Sequence, residues 1–175
     1  MIDLHTHILH GLDDGAASLE ESLGIARAAA ADGVEALAAT PHVRTDYPTS
    51  AAEMEARLAE VAAAAEAEGI PLRLLPGGEV ALDVYAGLAP EELVRFGLGG
   101  SRRHLLLEFP YTGWPLPLEL VVRELAGRGV TAVLAHPERN RDVQHAPRRL
   151  APLVELGALV LAGSHSRKAF IFGLV

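Results

Sequence analysis

The chain has 175 residues, half of them hydrophobic, and contains no cysteine. This length fits one domain with a substantial core, so we expect residues 1–175 to form a single domain. The lack of cysteine excludes a disulfide scaffold, a thiolate zinc site and a cysteine nucleophile. A formal net charge of −8 argues against nonspecific binding to nucleic acid, because that binding requires a basic face.

The hydrophobic content does not indicate a membrane protein. Much of it is alanine, and no apolar run approaches the roughly 20 residues that a spanning helix requires. The N-terminus also lacks the basic segment, apolar segment and small-residue cleavage site of a secretory signal. We therefore expect no membrane insertion and a cytoplasmic location.

The first fifteen residues, MIDLHTHILHGLDDG, carry the densest chemistry of the chain. The short run Ile2–Leu4 predicts a buried strand, and it delivers His5 and His7 to one face of an extended backbone. Asp13 and Asp14 follow in a turn. Imidazole nitrogens beside carboxylate oxygens suit manganese, iron or zinc better than calcium. Such a histidine pair alone is more often structural. Whether it is part of a metal site therefore depends on whether further ligand residues occur at later strand ends.

Helices and short apolar runs alternate after this turn. Ser18 and Glu21 form a capping box that predicts a helix ending at Gly33. A long helix is predicted over 50–68, and shorter helices are predicted near 90–95, 116–127 and 148–156. The apolar runs that predict buried strands are 34–39, 72–75, 105–107, 131–135 and 158–162.

This alternation predicts an α/β fold. The strands are continuous apolar runs, which is typical of a parallel sheet covered by helices on both faces. An open sheet of the Rossmann type would carry a glycine fingerprint after its first strand, and this sequence has none. Polar residues instead follow the carboxyl ends of five strands, as on the catalytic face of a (β/α) barrel.

Metal-ligand residue types recur at these strand ends. His42 follows the second strand in TPH, Glu79 stands in PGGE, Glu108 in EFP and His136 in AHPERN. We expect the glycines of PGGE to turn the backbone tightly and to aim Glu79 inward. Carboxylates can bridge two metals roughly 3.5 to 4 Å apart, so the set can hold two or three divalent ions. The predicted metal ligands are His5, His7, Asp14, His42, Glu79, Glu108 and His136.

The motifs HTH, DDG, ATPH, PGGE, LLLEFP and AHPERN together resemble the PHP (polymerase and histidinol phosphatase) family, over essentially the whole chain. The likeness is greatest to its bacterial branch of manganese-dependent protein-tyrosine phosphatases of capsule and exopolysaccharide synthesis. The resemblance implies a distorted (β/α)7 TIM-like barrel with up to three metal ions. Mn²⁺ is the ion expected first, with Zn²⁺, Fe²⁺ or Mg²⁺ as alternatives.

The resemblance also distributes the ligands among these ions. It implies that His5 and His7 hold the first ion and that Glu79 bridges this ion to a second. Glu108 and His136 would then complete the second position.

Two further roles follow from the resemblance. Asp14 and His42 would hold the third ion. Arg139, in AHPER, matches the phosphate-binding arginine of the family, and its planar fork suits a phosphoryl group. The alternative for Arg139 is a surface ion pair with Glu138 or Asp142.

One departure accompanies the match. Members of this branch carry a late Asp-x-His motif that completes the first and third ions, and this chain, which ends in FIFGLV, has none. We therefore expect a shortened member that lacks the last strand and helix and exposes a sheet edge. A second copy would cover that edge and form a homo-oligomer. His165, in GSHS, could replace the missing histidine ligand. We do not expect this replacement, because members of the family have similar residues at this place in addition to the late motif.

The expected reaction is hydrolysis of a phosphate monoester by metal-bound hydroxide. The resemblance favours phosphotyrosine on a protein, such as the tail of a bacterial tyrosine kinase. Two alternatives stay open. The first is a phosphatase for a small molecule, such as histidinol phosphate or a sugar phosphate. The second is a catalytically inactive metal-binding or scaffold protein, which the missing ligands would explain.

Overall fold

The computed structural model describes residues 1–162 and the backbone of residues 170–172. The strands are β1 Ile2–Thr6, β2 Ala36–Ala39, β3 His42–Arg44, β4 Tyr47–Pro48, β5 Arg73–Leu75, β6 Glu79–Ala81, β7 His104–Glu108, β8 Thr131–Ala135, β9 Leu159–Ala162 and β10 Phe170–Phe172. The α-helices are α1 Leu19–Ala31, α2 Ala51–Ala67, α3 Leu82–Tyr85, α4 Pro90–Arg95, α5 Leu118–Gly127, α6 Arg141–His145 and α7 Ala151–Glu155. His165, the weak substitute ligand, lies outside the described residues.

The strands form two sheets, in the orders β1-β2-β5 and β10-β9-β8-β7-β6-β3-β4. The chain passes from β2 to β3 through Thr40 and Pro41, and from β5 to β6 through 76–78, so each pair is one strand with a short interruption. Counted in this way, six strands lie in chain order with every neighbouring pair parallel. The parallel α/β arrangement predicted from the sequence is therefore confirmed.

Two strands depart from the all-parallel prediction. β4 pairs antiparallel with β3, and β10 pairs antiparallel with β9. β10 occupies the side of β9 that faces away from β8, so β9 is not itself an edge strand. Among the described residues, no ladder joins β1 to β9 or to β10, so these strands do not close a barrel.

The central strands are buried on both faces. Leu105 and Leu107 of β7 belong to the large core beneath the helices, whereas Leu106 belongs to a smaller cluster with Val133 and Leu161 on the opposite face. Burial on both faces explains why these strands are continuous apolar runs in the sequence. Glu108 lies two residues after Leu106, so it points to the face of the smaller cluster.

The helices begin and end close to the predicted positions. Ser18 caps α1, and Ser50 with Glu53 forms a complete capping box at α2. Within the described part of the chain, no helix is both long enough and apolar enough to cross a membrane.

The segment PGGE brings Glu79 to the interior through close packing. A Cβ atom on Gly78 would lie 2.5 Å from the ring of Phe96, and one on Gly77 would lie 2.9 Å from the methyl group of Thr40. Neither glycine has a positive φ angle. Glu79 does point inward as predicted, but the two glycines contribute space beside Phe96 and Thr40 rather than a backbone conformation that favours glycine.

We expect the substitution Gly78→Ala to lower the free energy of unfolding by about 1 to 3 kcal/mol, because its methyl group would displace Phe96 from the core. The control is Gly24→Ala within α1, where a Cβ atom meets nothing within 4 Å. That change should raise stability by up to about 1 kcal/mol. Urea denaturation measures both, and equal effects of the two substitutions would contradict the packing argument.

Candidate metal centre

Glu79 lies at the middle of a cluster of histidines and is fully buried. Its Oε1 lies 2.8 Å from Nε2 of His136. Its Oε2 lies 3.0 Å from Nδ1 of His42, 3.5 Å from Nε2 of His7 and 3.7 Å from Nε2 of His5. Histidines from three different strand ends therefore meet at one carboxylate.

The two other predicted carboxylates border the same cluster. Glu108 Oε2 lies 3.8 Å from Nδ1 of His42. Asp14 Oδ1 lies 3.5 Å from Nε2 of His42 and 4.0 Å from Nδ1 of His7. The structure thus brings all seven side chains proposed as ligands to one end of the parallel strands, while their role as ligands stays a prediction.

Several polar atoms of this cluster are buried without a hydrogen-bond partner among the described residues. They are both carboxylate oxygens of Glu79, Nδ1 of His42 and Nδ1 of His136. The short contacts between Glu79 and these imidazoles are therefore poorly directed as hydrogen bonds. Buried polar atoms without partners are costly, and imidazole with carboxylate is a donor set that suits divalent transition metals. These residues fit a metal site.

Among the residues that the structure describes, donor atoms converge closely enough in three groups to share an ion. The groups are His5 with Glu79 and His136, His7 with His42 and Glu79, and His7 with Asp13 and Asp14, and within each the ligand atoms lie within 4.8 Å of one another. The distances thus associate His5 with His136, whereas the family resemblance associates it with His7. Glu79 belongs to two groups, as a bridging carboxylate would.

Neighbouring residues fix which nitrogen each N-terminal histidine presents. Nδ1 of His7 lies 2.6 Å from the Asp13 carboxylate, which can only accept, so His7 carries its proton on Nδ1. Nδ1 of His5 lies 2.6 Å from Thr40 Oγ1, whose hydroxyl donates to the carbonyl of Thr6. Both histidines therefore present Nε2 to the cluster, as metal-binding histidines do when a second group holds the other nitrogen.

Asp13, which the sequence places in the turn after the two histidines but which is not among the seven predicted ligands, is also a site residue. Its side chain is fully buried and accepts hydrogen bonds from Nδ1 of His7 and from the backbone N–H groups of Gly15 and His42. Burial alone would raise the pKa of Asp13, but the hydrogen bond from His7 and these N–H groups hold it below the ordinary value. Asp14, by contrast, is 59% exposed.

Burial and neighbouring charges shift the pKa values of the cluster residues, and for His5 and Glu79 the shift favours the charge state that a metal requires. Burial lowers the pKa of His5 to about 4, although the charge of Glu79 opposes this, so His5 is neutral near pH 7. Burial would raise the pKa of Glu79, but His136 and His42 hold it well below the usual range. Burial and the charge of Glu79 raise the pKa of Glu108. Neutral imidazole and ionised carboxylate are the forms that bind cations.

His136 has an unusual backbone conformation. Its φ angle is +35° and its ψ angle is 49°, in the left-handed region that residues other than glycine rarely adopt. Its N–H donates to the carbonyl of Leu161, and the carbonyl of His136 accepts from the N–H of Arg139. Strain of this kind clusters at functional sites, and here it directs the imidazole toward Glu79.

The two arginines near the cluster differ in placement. Arg139 is exposed, and among the described residues its side chain makes no hydrogen bond or ion pair with the predicted ligands. Arg44, which the sequence analysis overlooked, donates from Nη1 to Glu108 Oε1 at 2.7 Å. Arg44 is the last residue of the short strand β3, so its proximity to Glu108 depends on pairing across the sheet rather than on any local motif.

We expect the substitution Asp13→Asn to weaken metal affinity about 10- to 100-fold, because an amide at this position no longer fixes the proton of His7 on Nδ1. Titration with Mn²⁺ followed by calorimetry measures the change. The control is Asp142→Asn, which alters a carboxylate that pairs with Arg149 rather than with a histidine. If Asp13→Asn binds metal as tightly as the unaltered chain, the buried aspartate has no orienting role.

An α/β fold with a buried histidine and carboxylate cluster at the ends of parallel strands defines a class of metal-binding proteins. The family described as "Capsular polysaccharide synthesis, CpsB/CapC" matches residues 1–167. The chain belongs to this family. The relation to PHP-type phosphatases indicated by the sequence motifs is thereby confirmed.

Named relatives share most of the chain. YwqE of Bacillus subtilis (strain 168), a tyrosine-protein phosphatase, is 36% identical over 99% of this chain and 68% of its own length. CapC of Staphylococcus aureus, named a putative tyrosine-protein phosphatase, is 31% identical over 91% of this chain and 62% of its own. CpsB of Streptococcus pneumoniae is 27% identical over 99% of this chain and 72% of its own.

A solved structure has the same fold. It superposes with a TM-score of 0.85 at 36% identity, over 93% of this chain and 66% of the other. Its description is of YwqE from Bacillus subtilis and CpsB from Streptococcus pneumoniae as unique metal-dependent tyrosine phosphatases. The chain thus spans about two thirds of the length of the relatives that it resembles.

Proposed function

We propose that this chain is a metal-dependent phosphate monoester hydrolase that acts on phosphotyrosine in proteins. The observation that carries the proposal is the buried group of Glu79 and its histidines, in which both Glu79 oxygens and one nitrogen each of His42 and His136 lack hydrogen-bond partners among the described residues. Similarity to proteins named tyrosine-protein phosphatases supports the choice of substrate. The lack of cysteine rules out a cysteinyl-phosphate route for this chain.

The seven predicted residues would hold the ions, with Mn²⁺ proposed as the metal and Glu79 as the bridging ligand. The chemistry that such ions supply when bound is Lewis acidity, which lowers the pKa of water and neutralises phosphoryl charge. Thr40 and Asp13 orient His5 and His7 for this purpose. The leaving tyrosinate has an ordinary pKa near 10, so it departs more readily than an alkoxide.

Arg139 stays our proposed ligand for the phosphate, although its side chain is exposed in this structure. Its position in the turn directly after His136 supports this role, because the exposed guanidinium belongs to the segment that borders the cluster. A planar guanidinium can donate two parallel hydrogen bonds to a phosphoryl group.

We propose that the six parallel strands are those of a distorted (β/α)7 TIM-like barrel within a single domain, a view that their order supports. A phosphorylated bacterial tyrosine kinase tail is the proposed substrate protein. Homo-oligomer formation and a cytoplasmic location stay predictions from the sequence.

A substrate profile tests the proposed activity against its alternatives. With saturating Mn²⁺, kcat/KM for a phosphotyrosine peptide should exceed the values for histidinol phosphate and sugar phosphates by at least about tenfold, because a tyrosinate is the better leaving group. A preference for the small esters would favour the small-molecule phosphatase. Metal uptake without release of phosphate from any ester would identify the inactive metal-binding protein.

A further inference from the structure

A cavity of about 610 Å³ opens beside the metal cluster. Arg44 and Glu108 line one part of it, and Leu82, Pro110, Tyr111 and Pro115 provide apolar wall. We infer that this cavity is the binding site for an aryl phosphate, in which Arg44 donates to the phosphate and the apolar walls hold the aromatic ring. The inference rests on the proposed function and adds the residues that recognise the substrate.

The guanidinium of Arg44 is held rigidly. Its Nε and one Nη donate to the two oxygens of Asp46 at 2.6 and 2.8 Å, and its other Nη donates to Glu108 at 2.7 Å. The central carbon of the guanidinium group also lies over the Tyr47 ring, 5.2 Å from its centre. Three of its five N–H bonds are thus donated to carboxylates of described residues, which leaves one on each Nη for a ligand.

Glu108 connects Arg44 to the cluster. One oxygen of Glu108 accepts from Arg44, and the other lies 3.8 Å from Nδ1 of His42. A phosphate at this end of the cavity would therefore have the guanidinium close on one side and the metal cluster on the other. Cations on both sides of a phosphoryl group are the arrangement that phosphoryl transfer requires.

The walls suit an aromatic ring. Tyr111 stacks on His136 at 6.3 Å between ring centres, with only 8° between the planes, and the tyrosine is half exposed. Leu82 and the two prolines present carbon surface that cannot hydrogen-bond. The volume lies within the range of about 300 to 1,000 Å³ typical of ligand pockets. Asp46 and Asp83, also in the lining, are exposed, and Asp46 is already neutralised by Arg44.

The test measures binding of inorganic phosphate to the chain loaded with Mn²⁺, by calorimetry. We expect Arg44→Met to weaken phosphate binding about 10- to 100-fold, because a hydrogen bond from a charged donor is lost. Arg44→Lys, which keeps the charge and loses the fork, should have an intermediate affinity. The matched control is Arg123→Met, which removes an exposed arginine that pairs with Glu119 on the surface of α5.

Elemental analysis of each variant separates phosphate recognition from support of the metal site. An affinity for phosphate within twofold of the unaltered chain, with manganese retained in Arg44→Met, would overturn the inference. If Arg44→Met loses manganese, Arg44→Lys decides by the same criterion. Loss of manganese from both variants would also overturn the inference, because Arg44 would then position the predicted ligand Glu108 rather than bind the substrate.

A second variant tests the apolar wall. Tyr111→Ala should lower kcat/KM for a phosphotyrosine peptide about tenfold more than for glycerol phosphate, because only the aryl ester uses the wall. Equal losses for both esters would overturn the assignment of the ring. If the unaltered chain binds phosphate but hydrolyses no ester, the proposed function fails. The phosphate affinities of the Arg44 variants still test whether Arg44 binds phosphate.

Discussion

Removal of divalent cations from the purified chain should abolish its hydrolysis of a phosphotyrosine peptide, with a fall in rate of at least about 10³-fold. The physical reason is that the chain has no cysteine nucleophile, so without cations no group lowers the pKa of the attacking water and only arginine offsets the phosphoryl charge. Glu79 and Glu108 would then repel a phosphate dianion from their own end of the strands.

Dialysis against a chelator, followed by assay of phosphate release, measures this fall. Readdition of Mn²⁺ should restore the rate, and parallel readdition of Zn²⁺, Fe²⁺ and Mg²⁺ should rank the metals. Circular dichroism of the stripped chain serves as the control, because it shows that the fold persists while activity is lost. Retention of more than about a tenth of the rate in the stripped, folded chain would exclude metal-dependent hydrolysis.

The substitution Glu79→Gln should remove both metal and activity. The Glu79 carboxylate lies near all four histidines of the cluster, and Glu79 belongs to two of the three candidate ligand groups found among the described residues. A neutral amide of similar size loses the negative charge that a bridging ligand supplies. We expect kcat/KM to fall by about 10³-fold or more and bound manganese to fall by at least one ion per chain.

Elemental analysis and steady-state kinetics on the same preparation check this result. The matched control is Glu66→Gln, which makes the same chemical change at an exposed position on α2. It should leave both measurements unaltered. Full manganese content in Glu79→Gln, together with unaltered activity, would show that the central carboxylate is not a ligand.

The fold could be predicted from the sequence where burial is symmetric. The run Leu105–Leu107 indicates a strand because both faces of β7 are buried, and the capping residues Ser18 and Ser50 mark helix starts through local hydrogen bonds. The strands β3 and β6 could not be predicted in this way, because each has only three residues and depends on parallel pairing with its neighbour.

The candidate site was predictable to a similar degree. Strand ends identify which residues converge, and Glu79 and His136 do meet there. The sequence does not indicate which of two adjacent aspartates turns inward, since Asp13 and Asp14 have identical side chains in one turn. It also cannot reveal that Arg44 reaches Glu108, because the two residues are far apart in the chain and meet only through the curvature of the sheet.

The claim on which the account depends is that divalent cations bind at Glu79. Crystals grown with Mn²⁺ and measured at the manganese absorption edge test it directly. The account predicts anomalous peaks at coordination distance, about 2.0 to 2.3 Å, from the Glu79 carboxylate and from Nε2 of His5, His7 or His136. Density showing the Glu79 carboxylate bonded only to protein or water, with no anomalous peak beside it, would contradict the account.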